Sequence, residues 1–257
     1  MKYSSVFRLS LLALLLAGCG EDDAGTTAWT RPEEPAAAGN PVVCRLSIDD
    51  GDESPEAETR TAYGPLTNGS WPIYWRSGDR VEVISPQTTP QRATVEVRVS
   101  GATESEADLS DTGMAWGEGL HDFYAFYPAD AVQANSGSIV ATAIPAVQTY
   151  HNGECNMQYA YMAACTQGVE RGGEVPFRFR PLMTTVTIQV GFSEAAEVQK
   201  LVLSSENGPI AGGFTFDIET DRCSVIPGKG SNVLALHLMS GDVPYIQLSA
   251  GSKVAVT

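Results

Sequence analysis

Three histidines, five cysteines and a scatter of aromatics are the residues of this 257-residue chain with chemistry to offer. His121, His151 and His237 stand far apart in sequence. His151 lies near Cys155, and with Cys165 the three supply the donor types of a metal site, but their spacing matches no standard zinc pattern. Asp50, Asp52 and Ser54 echo the start of a calcium loop, yet Pro55 stands where that loop needs a glycine. An acidic, solvated linker is the better reading. No nucleophile elbow, zinc-protease helix or phosphate-cradling glycine loop is present. With no acid, base, nucleophile or ligand set to assemble, the chain does not read as an enzyme, and neither cofactor nor metal is expected.

The aromatics offer a different chemistry, stacking on a sugar ring. Trp71, Tyr74, Trp75, Trp116, Phe123, Tyr124, Phe126, Tyr127, Tyr150, Tyr159 and Tyr161 could all contribute. Most alternate with other apolar residues, so core packing is the default reading. Trp116, between Gly113 and Gly117-Glu118-Gly119, is the best candidate for an exposed platform. Setting Cys19 aside, Cys44, Cys155, Cys165 and Cys223 make an even number that allows three disulfide connectivities. Cys155 with Cys165 is the local pairing; buried free thiols are the alternative.

The elements that position these residues are strands. Val42, Cys44, Leu46 and Ile48 alternate with Val43, Arg45 and Ser47, and acidic, breaker-rich stretches flank this strand on both sides. From Thr61 onward the pattern is β throughout: Asn68-Gly69 reads as a hairpin turn, and Trp71–Trp75 and Arg80–Ser85 as strands around Gly78-Asp79. Val95, Val97 and Val99 share one face, Phe123–Tyr127 is aromatic on both, and Val175, Phe177 and Phe179 alternate with Pro176, Arg178 and Arg180. Later strands are expected at 201–203, 214–216, 234–238, 245–248 and 254–256. Only Asn156–Ala164 and Glu194–Gln199 suggest helix, and no repeat of fixed period occurs. Short strands with turn signals at this spacing indicate an all-β chain, an antiparallel β-sandwich or a pair of them. The last strand runs into Thr257 with no closing turn, which suggests a sequence cut short.

Composition narrows the partners. The hydrophobic fraction of 43% is that of a globular protein with a packed core. The formal charge of −15 repels nucleic acid and an anionic membrane surface, so neither is an expected partner. Lys2 and Arg8 precede the apolar run Leu11–Leu16, too short for a membrane span and built like a secretory signal. Leu16-Ala17-Gly18-Cys19 resembles the lipobox of bacterial lipoproteins. That resemblance implies removal of residues 1–18 and lipidation of Cys19, a stable anchor because each buried CH₂ adds about 0.8 kcal/mol. Glu21-Asp22-Asp23 also resembles the tag that sends some lipoproteins to the outer face of the cell. Residues 19–41, rich in Gly, Pro, Ala, Thr and acid, then form a disordered tether.

Several segments in fixed order resemble the Mfa-like fimbrillin family of pilin-related surface lipoproteins. They are Thr59-Arg60, Trp75-Arg76-Ser77-Gly78-Asp79-Arg80-Val81-Glu82-Val83, Phe123-Tyr124-Ala125-Phe126-Tyr127-Pro128, and Ile144-Pro145-Ala146-Val147-Gln148. Tyr161-Met162-Ala163-Ala164, Val175-Pro176-Phe177-Arg178-Phe179-Arg180-Pro181-Leu182, Leu201-Val202-Leu203-Ser204-Ser205 and Ile210-Ala211-Gly212-Gly213 complete the series. The resemblance implies a transthyretin-like β-sandwich domain over 42–192 and a second, incomplete β domain from 193 to 257. It also implies an adhesive fimbrium at the cell outer membrane, whose subunits join by β-strand addition after a protease cuts behind an arginine. Cutting after Arg60 would release strand 42–48 whole; cutting after Arg45 would split it, so Arg60 ranks first and Arg45 second. The alternative is a monomeric surface lipoprotein that keeps its N-terminal strand and binds a glycan or a host protein.

Overall fold

The computed structural model describes residues 41–48, 62–63, 72–101, 104–151, 157–183, 186–189, 193–251 and 253–256. Apart from two single turns of 3-10 helix, Ala129–Ala131 and Met157–Tyr159, every regular element among them is a strand. In chain order, β1 (Val43–Ile48) and the two-residue β2 (Ala62–Tyr63) and β3 (Ile73–Tyr74) precede β4 (Arg80–Ile84), β5 (Thr88–Thr89), β6 (Arg92–Arg98), β7 (Glu106–Leu109) and β8 (Ala115–Trp116). The aromatic β9 (His121–Tyr127) leads to β10 (Ala134–Ser136), β11 (Ile139–Ile144), β12 (Val147–His151), β13 (Met162–Val169), β14 (Glu174–Pro181) and β15 (Val186–Gln189). The remainder is β16 (Ala196–Val198), β17 (Lys200–Ser204), β18 (Ala211–Asp217), β19 (Arg222–Ser231), β20 (Val233–Met239), β21 (Ile246–Leu248) and β22 (Lys253–Val256).

The all-β class is as expected, and at its centre is a closed barrel with strands in the order β1-β14-β13-β9-β4-β6-β7. Closure comes from β1, which bonds to β14 on one side and β7 on the other, so neither remains an edge. Among the described strands two pairings are parallel, β1 with β14 and β12 with β20, where sequence alternation suggested antiparallel neighbours throughout. Inside the barrel, Leu46, Trp75, Val83, Val97, Phe123, Phe177 and Phe179 form one core, with Trp75 set edge-on to Tyr127 and Phe179.

A four-stranded sheet, β10-β11-β18-β19, covers part of the barrel's outer face. Tyr124, Phe126, Tyr161 and Ala163 point outward from the barrel into a second core shared with Val140, Phe214 and Phe216. This explains why Phe123–Tyr127 is apolar on both faces: one lines the barrel and the other meets the covering sheet. A buried carboxylate ties the layers together, because Glu82 on β4 accepts from Arg92 (2.9 Å), Thr94 (2.7 Å) and Asn135 of β10 (3.3 Å). A third core, around Tyr150, Leu236, Leu238, Ile246 and Leu248, lies under the β12-β20-β17 sheet. The β11–β18 and β12–β20 pairings make strands on either side of residue 193 share sheets.

Neither expected helix forms among the described residues: 157–164 hold the 3-10 turn Met157–Tyr159 and the start of β13, and Glu194–Gln199 holds β16. Tyr161, Met162, Ala163 and Ala164 are consecutively buried because β13 is sandwiched between barrel interior and covering sheet. A strand buried on both faces has lost its alternation and is easily mistaken for helix. No helix among the described residues is long and apolar enough to cross a membrane.

Candidate functional site

The N-terminal strand is the feature to which the barrel owes its closure. Its register with β14 runs in parallel from Val43↔Glu174 to Ile48↔Phe179. On the other flank, Arg45, Leu46 and Ser47 pair antiparallel with Asp108, Ala107 and Glu106. The hydrogen bonding continues past β7 at both ends: the Val42 N–H donates to the Met114 carbonyl (3.2 Å), and the Ile48 N–H to the Ser105 carbonyl (3.1 Å). The Thr112 hydroxyl also donates to the Val42 carbonyl (3.1 Å), and Pro41 forms a bridge to Ala115.

Alternate side chains complete the fit. Val42, Cys44, Leu46 and Ile48 point into the barrel core, and Leu46 is 0% exposed. Burying Val42, Leu46 and Ile48 contributes, at about 1.5–3 kcal/mol each, an upper bound of roughly 5–9 kcal/mol. Burial pushes the Cys44 thiol up to about 12, which makes it a small apolar filler rather than a nucleophile. The outward residues are polar or exposed, and Arg45 sits between Glu174 (3.3 Å) and Asp108 (3.7 Å). Strand β1 thus has the chemistry of a plug: main-chain bonds on two edges and side-chain knobs on one face.

The sequence-derived site residues distribute unevenly. Cys19, Arg60, Cys155, Trp71 and the Asp50-Asp52-Ser54 group lie outside the described residues. Arg45 lies in the middle of β1 with main-chain partners on both flanks, a poor protease site because cleavage needs an accessible, extended loop. Cys165 is a free, exposed thiol on β13, and Cys223 is likewise free and exposed. Desolvation, reinforced by the Glu219 and Asp122 carboxylates, pushes the Cys165 thiol up to about 11.

Trp116 is not the exposed platform its glycine-flanked position suggested; it is 5% exposed. Strand β8 pairs with β5, and the Trp116 ring packs edge-on against His121 and Phe123 at one end of the barrel. The Gly117 N–H donates to His121 Nε2 (3.0 Å). A Cβ on residue 117 would run into the Gln87 carbonyl, so the glycine is what lets this loop close over the barrel end. His151 and His237 come together as diagonal neighbours on the exposed face of β12 and β20, with Lys200 paired beside His237. Among the described residues, no three potential ligands converge on a metal position.

Sequence reasoning missed both neighbours of β1. Strand β14 was legible as a strand but not as a parallel partner, and Glu106–Leu109 carries only two inward apolar residues, Ala107 and Leu109. It also missed a cleft of about 530 Å³ beyond the C-terminal end of β9, where Tyr127, Tyr159 and Tyr161 meet Arg80, Asp130 and Gln133.

Two solved structures resemble the chain loosely. A candidate cell adhesion protein from Bacteroides ovatus is 14% identical with a TM-score of 0.46, covering 85% of this chain and 78% of its own. A second, from Bacteroides thetaiotaomicron, is 15% identical with a TM-score of 0.32, covering 83% and 88%. No curated protein matches. The fimbrillin-like family model matches residues 59–235, more than half of the sequence and the greater part of the barrel and its covering sheets. The chain belongs to the fimbrillin-like family.

Proposed function

We propose that this protein is a structural or accessory subunit of adhesive fimbriae, joined to its neighbours by exchange of the β1 strand. The observation that carries the reading is the seat of β1, inserted between parallel β14 and antiparallel β7 with Cys44, Leu46 and Ile48 buried in the barrel. Taking that strand away uncovers two strand edges and an apolar trough, which together recruit a replacement strand. The proposed sequence is export as a lipoprotein anchored at Cys19 in the outer membrane, cleavage after Arg60 at the surface, loss of residues up to Arg60, and refilling of the trough by another subunit. Arg60 is the favoured cut because Arg45 is held within β1. Cleavage frees the strand without expelling it, since its buried side chains hold it by several kcal/mol. Displacement by an incoming strand therefore has to be concerted.

The test is treatment of the full-length protein with an arginine-specific protease, followed by a non-boiled denaturing gel and sequencing of the new N-terminus. A ladder of multimers whose chains begin at Thr61 is expected, and Arg60→Ala abolishes it while Arg45→Ala leaves it in place. A single monomer band that retains lipidated Cys19 contradicts strand exchange and favours a monomeric binding lipoprotein.

A further inference from the structure

The cleft near the end of β9 lies apart from the β1 trough. It is formed where the turn before β4, the segment after β9, the end of β11 and the Met157–Tyr159 turn converge. Its volume of about 530 Å³ falls within the range of small-molecule sites, about 300–1,000 Å³, enough for about one or two pyranose rings. From this geometry we infer that the cleft binds the end of a neutral oligosaccharide.

Three features select that ligand. The first is an aromatic ring at the opening: Tyr159 is half-buried and offers its exposed surface to the cleft, while Tyr127 and Tyr161 line it from the two cores to which they belong. An amphipathic ring of this kind suits the C–H face of a sugar and leaves its hydroxyls to polar neighbours. The second is a fixed polar floor. The Tyr127 hydroxyl donates to Asp79 Oδ1 (3.0 Å), the Arg76 N–H to Asp79 Oδ2 (2.9 Å), and the Tyr161 hydroxyl to the Ala143 carbonyl (2.7 Å). These bonds lock the floor before any ligand arrives, which lowers the cost of binding. Gln133 and Gln158 add exposed amides, each with donor and acceptor, matched to hydroxyls that also do both.

Charge supplies the third feature. Among the described residues that line the cleft, the one cation, Arg80, is paired with Asp130 at 2.9 Å, so these residues offer no unpaired positive charge to a phosphate, sulfate or carboxylate. A chain of formal charge −15 repels such anions before they reach the cleft. A neutral polyhydroxyl ligand escapes both objections. The inference does not rest on strand exchange, since none of these residues belongs to β1, β7 or β14.

Saturation-transfer difference NMR on the full-length protein tests it with lactose, N-acetyllactosamine and mannobiose as neutral probes and sialyllactose as the anionic one. At least one neutral probe is expected to take up saturation. Tyr159→Ala should weaken it at least about tenfold, as truncating an interface anchor does, while Tyr159→Phe retains it. Gln133→Ala and Gln158→Ala, at exposed positions that leave the fold intact, should each weaken it measurably. Failure of all three neutral probes, binding of sialyllactose alone, or binding indifferent to Tyr159→Ala and both glutamine variants overturns the assignment.

Discussion

Leu46 and Arg45 are adjacent on β1, and the structure gives them opposite weights. Leu46 is fully buried, so Leu46→Ala should cost about 2–5 kcal/mol, lost transfer energy plus an unfilled cavity. In thermal unfolding that is a fall of very roughly 5–15 °C at this chain length. Arg45 bridges two carboxylates at the surface, more than half exposed, and Arg45→Ala should cost less than about 1 kcal/mol. Equal losses for the two would mean that β1 does not bury its alternate face. Cys44 gives a pH signature on the same strand. Its thiol is raised from 9.0 to about 12 in the folded chain, so the native state holds the proton more tightly. That contribution is fully present below pH 9 and is lost as pH rises towards 12. Cys44→Ala should therefore lose less stability than the parent between pH 9 and 12, measured by urea unfolding. At pH 8, a thiol reagent should label the exposed Cys165 and Cys223 well before Cys44.

At the scale of elements, alternation reported which face is buried but not which strand lies alongside. Val175, Phe177 and Phe179 were readable as the inward face of β14, and Phe123–Tyr127 as a strand covered on both sides. Parallel pairing of β1 with β14 was not readable, because a period of two is identical in parallel and antiparallel ladders. The glycines around Trp116 signalled an exposed loop, and the loop exists. What sequence did not contain is that β8 folds over the barrel end with Trp116 beneath it. Gly117→Ala probes that closure: a methyl group would meet the backbone of Gln87, which cannot swing away, so about 1–3 kcal/mol should be lost in urea unfolding. An unchanged midpoint would mean that the loop does not pack as described. Strand β19 shows how an edge is kept from pairing: it is long and exposed along most of its length but carries Pro227 and Lys229.

For the whole molecule, the family resemblance and the isolated N-terminal strand were legible from residue order, and the family match over 59–235 bears out the first. The closed barrel was not legible, since closure depends on β1 finding two partners more than 50 residues away in sequence. Nor was the cleft, whose residues come from four separated segments. The account predicts a molecule whose stability and assembly both turn on one exchangeable strand. The most direct measurement is fluorescence anisotropy of a labelled peptide of residues 42–48 added to the protein before trimming and after trimming behind Arg60, with the released segment removed from the trimmed chain by unfolding and refolding. The trimmed protein should take up the peptide, the untrimmed protein should not, and a peptide with Cys44, Leu46 and Ile48 all replaced by serine should fail with both. Trimmed protein that ignores the native peptide, or takes up the serine peptide equally well, would contradict the account.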